Sequence, residues 1–129
     1  MNQEQFKRCI EANNACAAVC DITAASGMHE ANIHAMEDCV SLSRDCAEIC
    51  RLAASYMERG SKMASAVLLA CIEACERCRK ECDKYMMDYC EACAAACRKC
   101  AVECQALIAS LVDIEHHHSR DSAVAGLRN

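Results

Sequence analysis

The sequence predicts an all-α protein, an antiparallel up-down-up-down four-helix bundle with a cysteine-lined core. Three observations carry that reading. The 129 residues include no proline and only three glycines, while alanine, glutamate, arginine, lysine and methionine, all good helix formers, are abundant. Breaks at Gly27, Gly60 and Asp88 divide the chain into four long segments. Every segment carries cysteines spaced by three, four or seven residues, the repeat of a single helix face.

The first helix spans residues 3–25 and closes at "ASGM", where Gly27 suits the left-handed position that ends a helix. The second, 29–58, ends likewise at Gly60 in "ERGSK". The third, 61–85, contains "CIEACERCRKEC" without a turn residue. The fourth, 88–111, starts at Asp88 as the cap, with Glu91 placed three residues on to complete a capping box. Short connections between long helices make sequential neighbours antiparallel. The bundle thus takes residues 1–111. Residues 112–129, "VDIEHHHSRDSAVAGLRN", lose helical periodicity and are expected to form a flexible C-terminal tail, and no role is assigned to His116, His117 and His118.

The third segment holds Cys71, Cys75, Cys78 and Cys82, and the fourth repeats that spacing as Cys93, Cys97, Cys100 and Cys104, with Cys90 in front. The first has Cys9, Cys16 and Cys20 and the second Cys39, Cys46 and Cys50, the same pattern with Asn13 and Ser43 in its second place. Positions i, i+4, i+7 and i+11 fall within an arc of about 60° on a helix, the face a bundle turns inward. Glu76, Arg77, Arg79, Lys80 and Glu81 are then expected to face solvent.

Composition excludes several functions. A formal charge of −5 and the absence of tryptophan leave neither the basic surface nor the stacking platform of a nucleic-acid partner. No apolar run approaches the roughly 18 residues of a membrane span. The N-terminal "MNQEQFKRCIEANN" lacks the apolar stretch of a signal peptide, so a cytoplasmic location is expected. In a reducing cytosol, fifteen cysteines read as free thiols or metal thiolates rather than disulfides, and an odd number cannot all pair within one chain.

Cysteine as a small buried hydrophobe explains one or two such positions, yet leucine would bury more apolar area at each. Metal binding explains the whole stripe. Thiolates four residues apart lie about 6 Å apart along the axis and lean together, within reach of a shared ion at bonds of about 2.3 Å. Successive pairs stack many sites along the core, with all fifteen cysteines as candidate ligands. Copper(I) is soft, selects thiolates and needs few per ion, so it is favoured, with Zn(II) as the alternative. Iron–sulfur spacings are missing. "CERC" and "CEAC" also admit a thiol redox protein, although "CERC" lies in mid-helix and "CEAC" belongs to a longer stripe.

The bundle ends differ. One gathers Phe6, Ile10, Leu52, Met57, Met63, Val67, Leu68, Leu107, Ile108 and Leu111 as an apolar plug. The other collects Met28, His29, His34, Met36, Met86 and Met87 beside Tyr85 and Tyr89. Singly, these methionines read as gap fillers and the histidines as solvated side chains. Together they mark this end as the mouth, with His29, His34, Met36, Met86 and Met87 as candidate transient ligands.

The segments "CIEANNACAAVC", "DCVSLSRDCAEIC", "CIEACERCRKEC" and "CEACAAACRKCAVEC" resemble the cytosolic copper storage proteins, cysteine-rich four-helix bundles, over about residues 5–108. The resemblance implies a non-catalytic homotetramer of bundles, each holding many copper(I) ions on core thiolates and loading through one end. Asn13 stands where related chains place a cysteine, "CDITAAS" lacks further cysteines, and "YMMDYC" replaces a histidine-rich turn, so a smaller capacity is expected.

Overall fold

In the computed structural model, which describes the backbone of residues 3–127 and the side chains of residues 3–112, the helix-forming composition yields four helices and no strand among the described residues. They are α1 (Gln3–Met28), α2 (Glu37–Glu58), α3 (Ala64–Cys82) and α4 (Asp88–Leu127), with a 3-10 turn at Ile33–Met36 before α2. α1 packs on α2 and α4, and α3 packs on the same two, closing a four-membered ring. The order is antiparallel: Cys9 meets Cys104, Cys16 meets Cys97 and Cys20 meets Cys93, so residue numbers rise along α1 as they fall along α4.

Gly60 behaves as expected. Its φ of 63° is left-handed. Its N–H bonds to the Met57 carbonyl while that of Ser61 reaches back to Tyr56, which satisfies the last carbonyls of α2. Gly27 does not terminate its helix. It lies buried inside α1, where a Cβ would come 2.8 Å from Val40 Cγ2. Its small size serves the close approach of α1 to α2, and α1 therefore runs on to Met28.

Three other boundaries differ from expectation for local reasons. The Asn32 side chain accepts from Ala35 N and nucleates the 3-10 turn, which delays α2 from residue 29 to Glu37. Ser61 Oγ accepts from Met63 N, and α3 starts at Ala64 instead of 61. α3 stops at Cys82 rather than 85, its exit folded into turns in which Lys84 N bonds to Glu81 O and Tyr85 N to Cys82 O. α4 begins at Asp88 but continues to Leu127, past the expected end at 111. Between Asp88 and Gly126 no glycine or proline interrupts it, so nothing local stops the backbone ladder. The side chains of His116, His117 and His118 lie outside the described residues.

The core is narrow. Besides the cysteines it holds alanines such as Ala17, Ala47 and Ala53, which let the helices approach closely, and the large side chains Leu68, Leu107, Met36 and Met57. Phe6, Ile10, Val67, Ile108 and Leu111 pack against one end of it. Leu52 and Met63, expected in that plug, are 45% and 58% exposed. Leu52 precedes the buried Ala53 and Ala54 and so falls on the outer face of α2, and Met63 lies just ahead of the first turn of α3. No described helix is long and apolar enough to cross a membrane.

Candidate metal centre

All fifteen cysteines are buried and unpaired by disulfides. The i, i+4, i+7 spacing that made them one stripe in the sequence makes them one lattice in space. Cys46 Sγ lies 4.0 Å from Cys16, 3.9 Å from Cys50, 3.7 Å from Cys75 and 3.9 Å from Cys97. Its neighbours therefore come from every helix of the bundle. Cys50 extends the chain to Cys71 at 3.7 Å and Cys100 at 3.9 Å, while Cys20 and Cys93, at 3.6 Å, carry it to Cys78 at 3.7 Å from Cys93.

Four overlapping groups of four sulfurs emerge, each with its atoms within 4.8 Å of one another. They are Cys16, Cys46, Cys50 and Cys75; Cys16, Cys20, Cys46 and Cys97; Cys20, Cys78, Cys93 and Cys97; and Cys50, Cys71, Cys75 and Cys100. Sharing of members makes the ten thiols continuous. Cys9 and Cys104, 3.7 Å apart, carry the sulfurs on toward the apolar plug, Cys104 also neighbouring Cys71 and Cys100. Cys39, Cys82 and Cys90 lie toward the other end. There burial, and after it Cys39, pushes the Cys90 thiol up to about 12.

Two kinds of thiol occur in the lattice. Sulfur neighbours hold Cys16 and Cys71 below the ordinary range, Cys100 foremost, and Cys78 and Cys93 likewise, with Cys20 foremost. Others are held above it, Cys20 and Cys97 chiefly by Cys16 and Cys50 chiefly by Cys100, with burial adding to each. An S–H donated to a neighbour stabilises that neighbour's thiolate and keeps the donor protonated. The core is thus a network of thiols whose acidities are set chiefly by one another.

Polar residues fill the vacant stripe positions. Asn13 is fully buried, and Ser43 Oγ lies 3.6 Å from Cys78 Sγ and 4.0 Å from Cys93 Sγ. The buried Thr23 hydroxyl lies 3.0 Å from Val19 O and 3.1 Å from Tyr89 O, which ties α1 to the start of α4.

The methionine-rich end is only partly assembled. Met36 is buried and Met87 half-buried, both against the core. Met28, His29, His34 and Met86 face solvent, Met86 at 90% exposure, and His34 Nδ1 is 3.0 Å from Glu37 Oε1. Tyrosines cover this end. Tyr85 Oη lies 2.6 Å from Ala35 O and 3.1 Å from Glu81 Oε1, its one proton directed between these two acceptors, and Tyr89 Oη donates to Glu30 at 2.5 Å. Glu81, expected in solvent, is 8% exposed because Tyr85 and Lys84 both hold its carboxylate. Burial first, and then Glu81, pushes the Tyr85 phenol up to about 12. The sequence reading passed over these latches, although Glu81 and Tyr85 stand four apart, the spacing of facing residues on a helix.

Cys75 and Cys78 of "CERC", and Cys90 and Cys93 of "CEAC", are fully buried. A thiol that exchanges disulfides must be exposed to its partner, so the site offers a redox reaction no access. What it offers is a dry column of soft ligands.

The family model described as copper storage protein matches residues 2–109. The chain belongs to the copper storage protein family. Among solved members, the copper storage protein Ccsp of Streptomyces lividans loaded with 10 copper equivalents is 33% identical, with a TM-score of 0.81 over 84% of this chain and 86% of that one. Cu(I)-bound BsCsp3 is 35% identical, with a TM-score of 0.76 over 79% of this chain and 96% of that one, and the apo form of Csp3 is from Bacillus subtilis. A curated relative, the uncharacterised cysteine-rich protein YhjQ of Bacillus subtilis strain 168, is 36% identical over 90 residues, 69% of this chain and 83% of its own length. Another Streptomyces lividans structure is of a cytosolic copper storage protein carrying five coppers. The fold of this chain is therefore shared with copper storage proteins whose copper-loaded forms have been solved.

Proposed function

We propose that this protein is a cytosolic copper(I) store, binding many ions through its core cysteines without catalytic turnover. One observation carries the reading: ten buried sulfurs drawn from all four helices form a single connected lattice. Four cysteines satisfy a structural zinc ion, and a lattice in which neighbouring groups share members suits an ion content with few sulfurs per ion. All fifteen cysteines serve as ligands, the outer five extending the central ten. Copper enters at the end where Met36 and Met87 reach the core, their thioethers passing ions inward to stronger thiolates.

Binding releases protons, because the ligand is thiolate. The thiols held above their ordinary range, among them Cys20, Cys50 and Cys97, keep their protons at neutral pH and surrender them only to metal. Falling pH therefore favours the proton over copper. Anaerobic titration of the reduced protein with Cu(I) against a chromophoric chelator should show uptake of several equivalents per chain, weakening as pH drops. Uptake of one equivalent or fewer ends the storage reading, and preferential retention of zinc in direct competition replaces it with a zinc buffer.

The bundles would assemble as a homotetramer, as the resemblance implies, with the exposed Ile22, Leu69 and Val102 available to an interface. Light scattering on the apo protein should give four times the 14.1 kDa chain mass, and a monomer would rule the assembly out.

A further inference from the structure

We propose that Tyr85 and Tyr89 form a gate across the methionine-rich end of the bundle, and that its opening sets the rate at which copper enters and leaves the core. The inference rests on the storage reading and adds to it the part of the fold that must move.

Two connections meet at this end, residues 29–36 between α1 and α2 and residues 83–87 between α3 and α4. The 3-10 turn in the first packs on its own neighbours, α1 and α2. The tyrosines tie that half of the bundle to the other. Tyr85 Oη lies 2.6 Å from Ala35 O in the 3-10 turn, and Tyr89 Oη donates to Glu30 Oε1 at 2.5 Å. Both bonds cross from the α3–α4 side to the α1–α2 side. Beneath them Cys39 has Cys82 and Cys90 as sulfur neighbours, and Cys82 leads on to Cys78 and Cys93 of the lattice.

Some opening is required, because every cysteine is at most 1% exposed and Met36 is 3% exposed. An ion handed over by ligand exchange must touch its new ligand before it leaves the old one. The geometry of Tyr85 makes this end the one that opens. Glu81 Oε1, 3.1 Å from the same hydroxyl and held by Lys84 Nζ, is a second acceptor on the tyrosine's own side. A phenol has one proton to donate, so Tyr85 can release Ala35 O and keep a bond to Glu81, leaving no hydroxyl unsatisfied. Tyr89 and Glu30 are both half-buried, and water can replace their bond once they part. The opposite end is closed by apolar packing of Phe6, Ile10, Ile108 and Leu111, and parting it would bring that surface into water.

The test mixes the full-length reduced protein anaerobically with Cu(I) on a chromophoric chelator. Stopped-flow absorbance gives the uptake rate, and excess chelator added to the loaded protein gives the release rate. Tyr85→Phe should speed both by about fivefold, and Tyr89→Phe, whose partner is charged, by about tenfold. Because uptake and release rise together, capacity and equilibrium affinity should match wild type. Tyr56→Phe is the control, the same change on α2 near the opposite end, where the Arg59 guanidinium lies 4.4 Å over the ring centroid. Its rates should equal those of wild type. Circular dichroism of each variant checks that the bundle has folded. Wild-type rates in the Y85F/Y89F double variant overturn the gate. Equal acceleration in Tyr56→Phe also overturns it, since general loosening would then set the rate. So does a lost equivalent in Tyr85→Phe or Tyr89→Phe, which would make the phenol part of the binding site. Should wild type take up no more than one ion, the storage reading falls and the gate falls with it. Multiple uptake at rates indifferent to both tyrosines removes the gate alone.

Discussion

Replacing Cys46 by serine should remove two or more copper equivalents from the saturated protein, a larger loss than its share of fifteen thiols suggests. Its sulfur has four sulfur neighbours within 4.0 Å and belongs to two of the four-membered groups. Serine is close in volume and keeps the packing, but its hydroxyl is hard and does not ionise near neutral pH, so it cannot bridge two ions. Cys39 makes the natural comparison, since it lies outside all four groups and its loss should cost at most one equivalent. Copper counted by chelator competition on the two variants decides the matter. Equal losses of one or less would show that the sulfurs act as independent ligands and that the connected lattice has no functional meaning.

The second large effect concerns stability. Leu68→Ala should destabilise the copper-free protein by about 2–5 kcal/mol, the range for truncating a buried leucine that leaves a cavity. Leu68 and Leu107 are the largest fully buried apolar side chains, and cysteine and alanine cannot collapse far enough to fill the space. Copper should mask the defect, because ions that bind only the folded state raise its stability by mass action. Denaturant unfolding under reducing, anaerobic conditions measures both forms. A loss below about 0.5 kcal/mol in the apo variant would place it among ordinary surface substitutions and remove the plug from the account of stability.

The fold was legible because its cysteines report helix phase directly. Each Cys stripe fixes which face points inward, and no other residue type in this chain is frequent and restricted enough to do so. Gly60 was legible as well, since a left-handed residue between two apolar runs has few other uses. Gly27 was not: a glycine chosen for closeness to Val40 looks the same in sequence as one chosen for its φ. The far limit of α4 was missed because loss of hydrophobic periodicity is not a stop signal, and the backbone continues where nothing breaks it.

The centre was legible in composition but not in connectivity. The stripes imply inward sulfurs, yet which thiols touch across helices depends on the antiparallel register, which spacing within one helix does not set. Asn13 and Ser43 were visible as vacancies in a repeat. Their hydrogen bonds to five different sulfurs were not, because those partners come from other helices as well as their own. Glu81 was assigned to solvent because it lies off the cysteine stripe, and the Tyr85 hydroxyl that draws it inward lies in the following turn.

The column of hydrogen-bonded thiols also behaves as an ion exchanger fixed in a dry matrix. When one copper(I) replaces one proton, one positive charge enters and one leaves, so filling at equal numbers of metal and sulfur adds no net charge to the interior. A zinc ion held by four thiolates leaves a charge of −2 behind, and in a medium of low dielectric that penalty would mount with every further ion. Monovalence is therefore what lets the core fill from end to end, with the room between the sulfurs rather than Coulomb repulsion setting the limit.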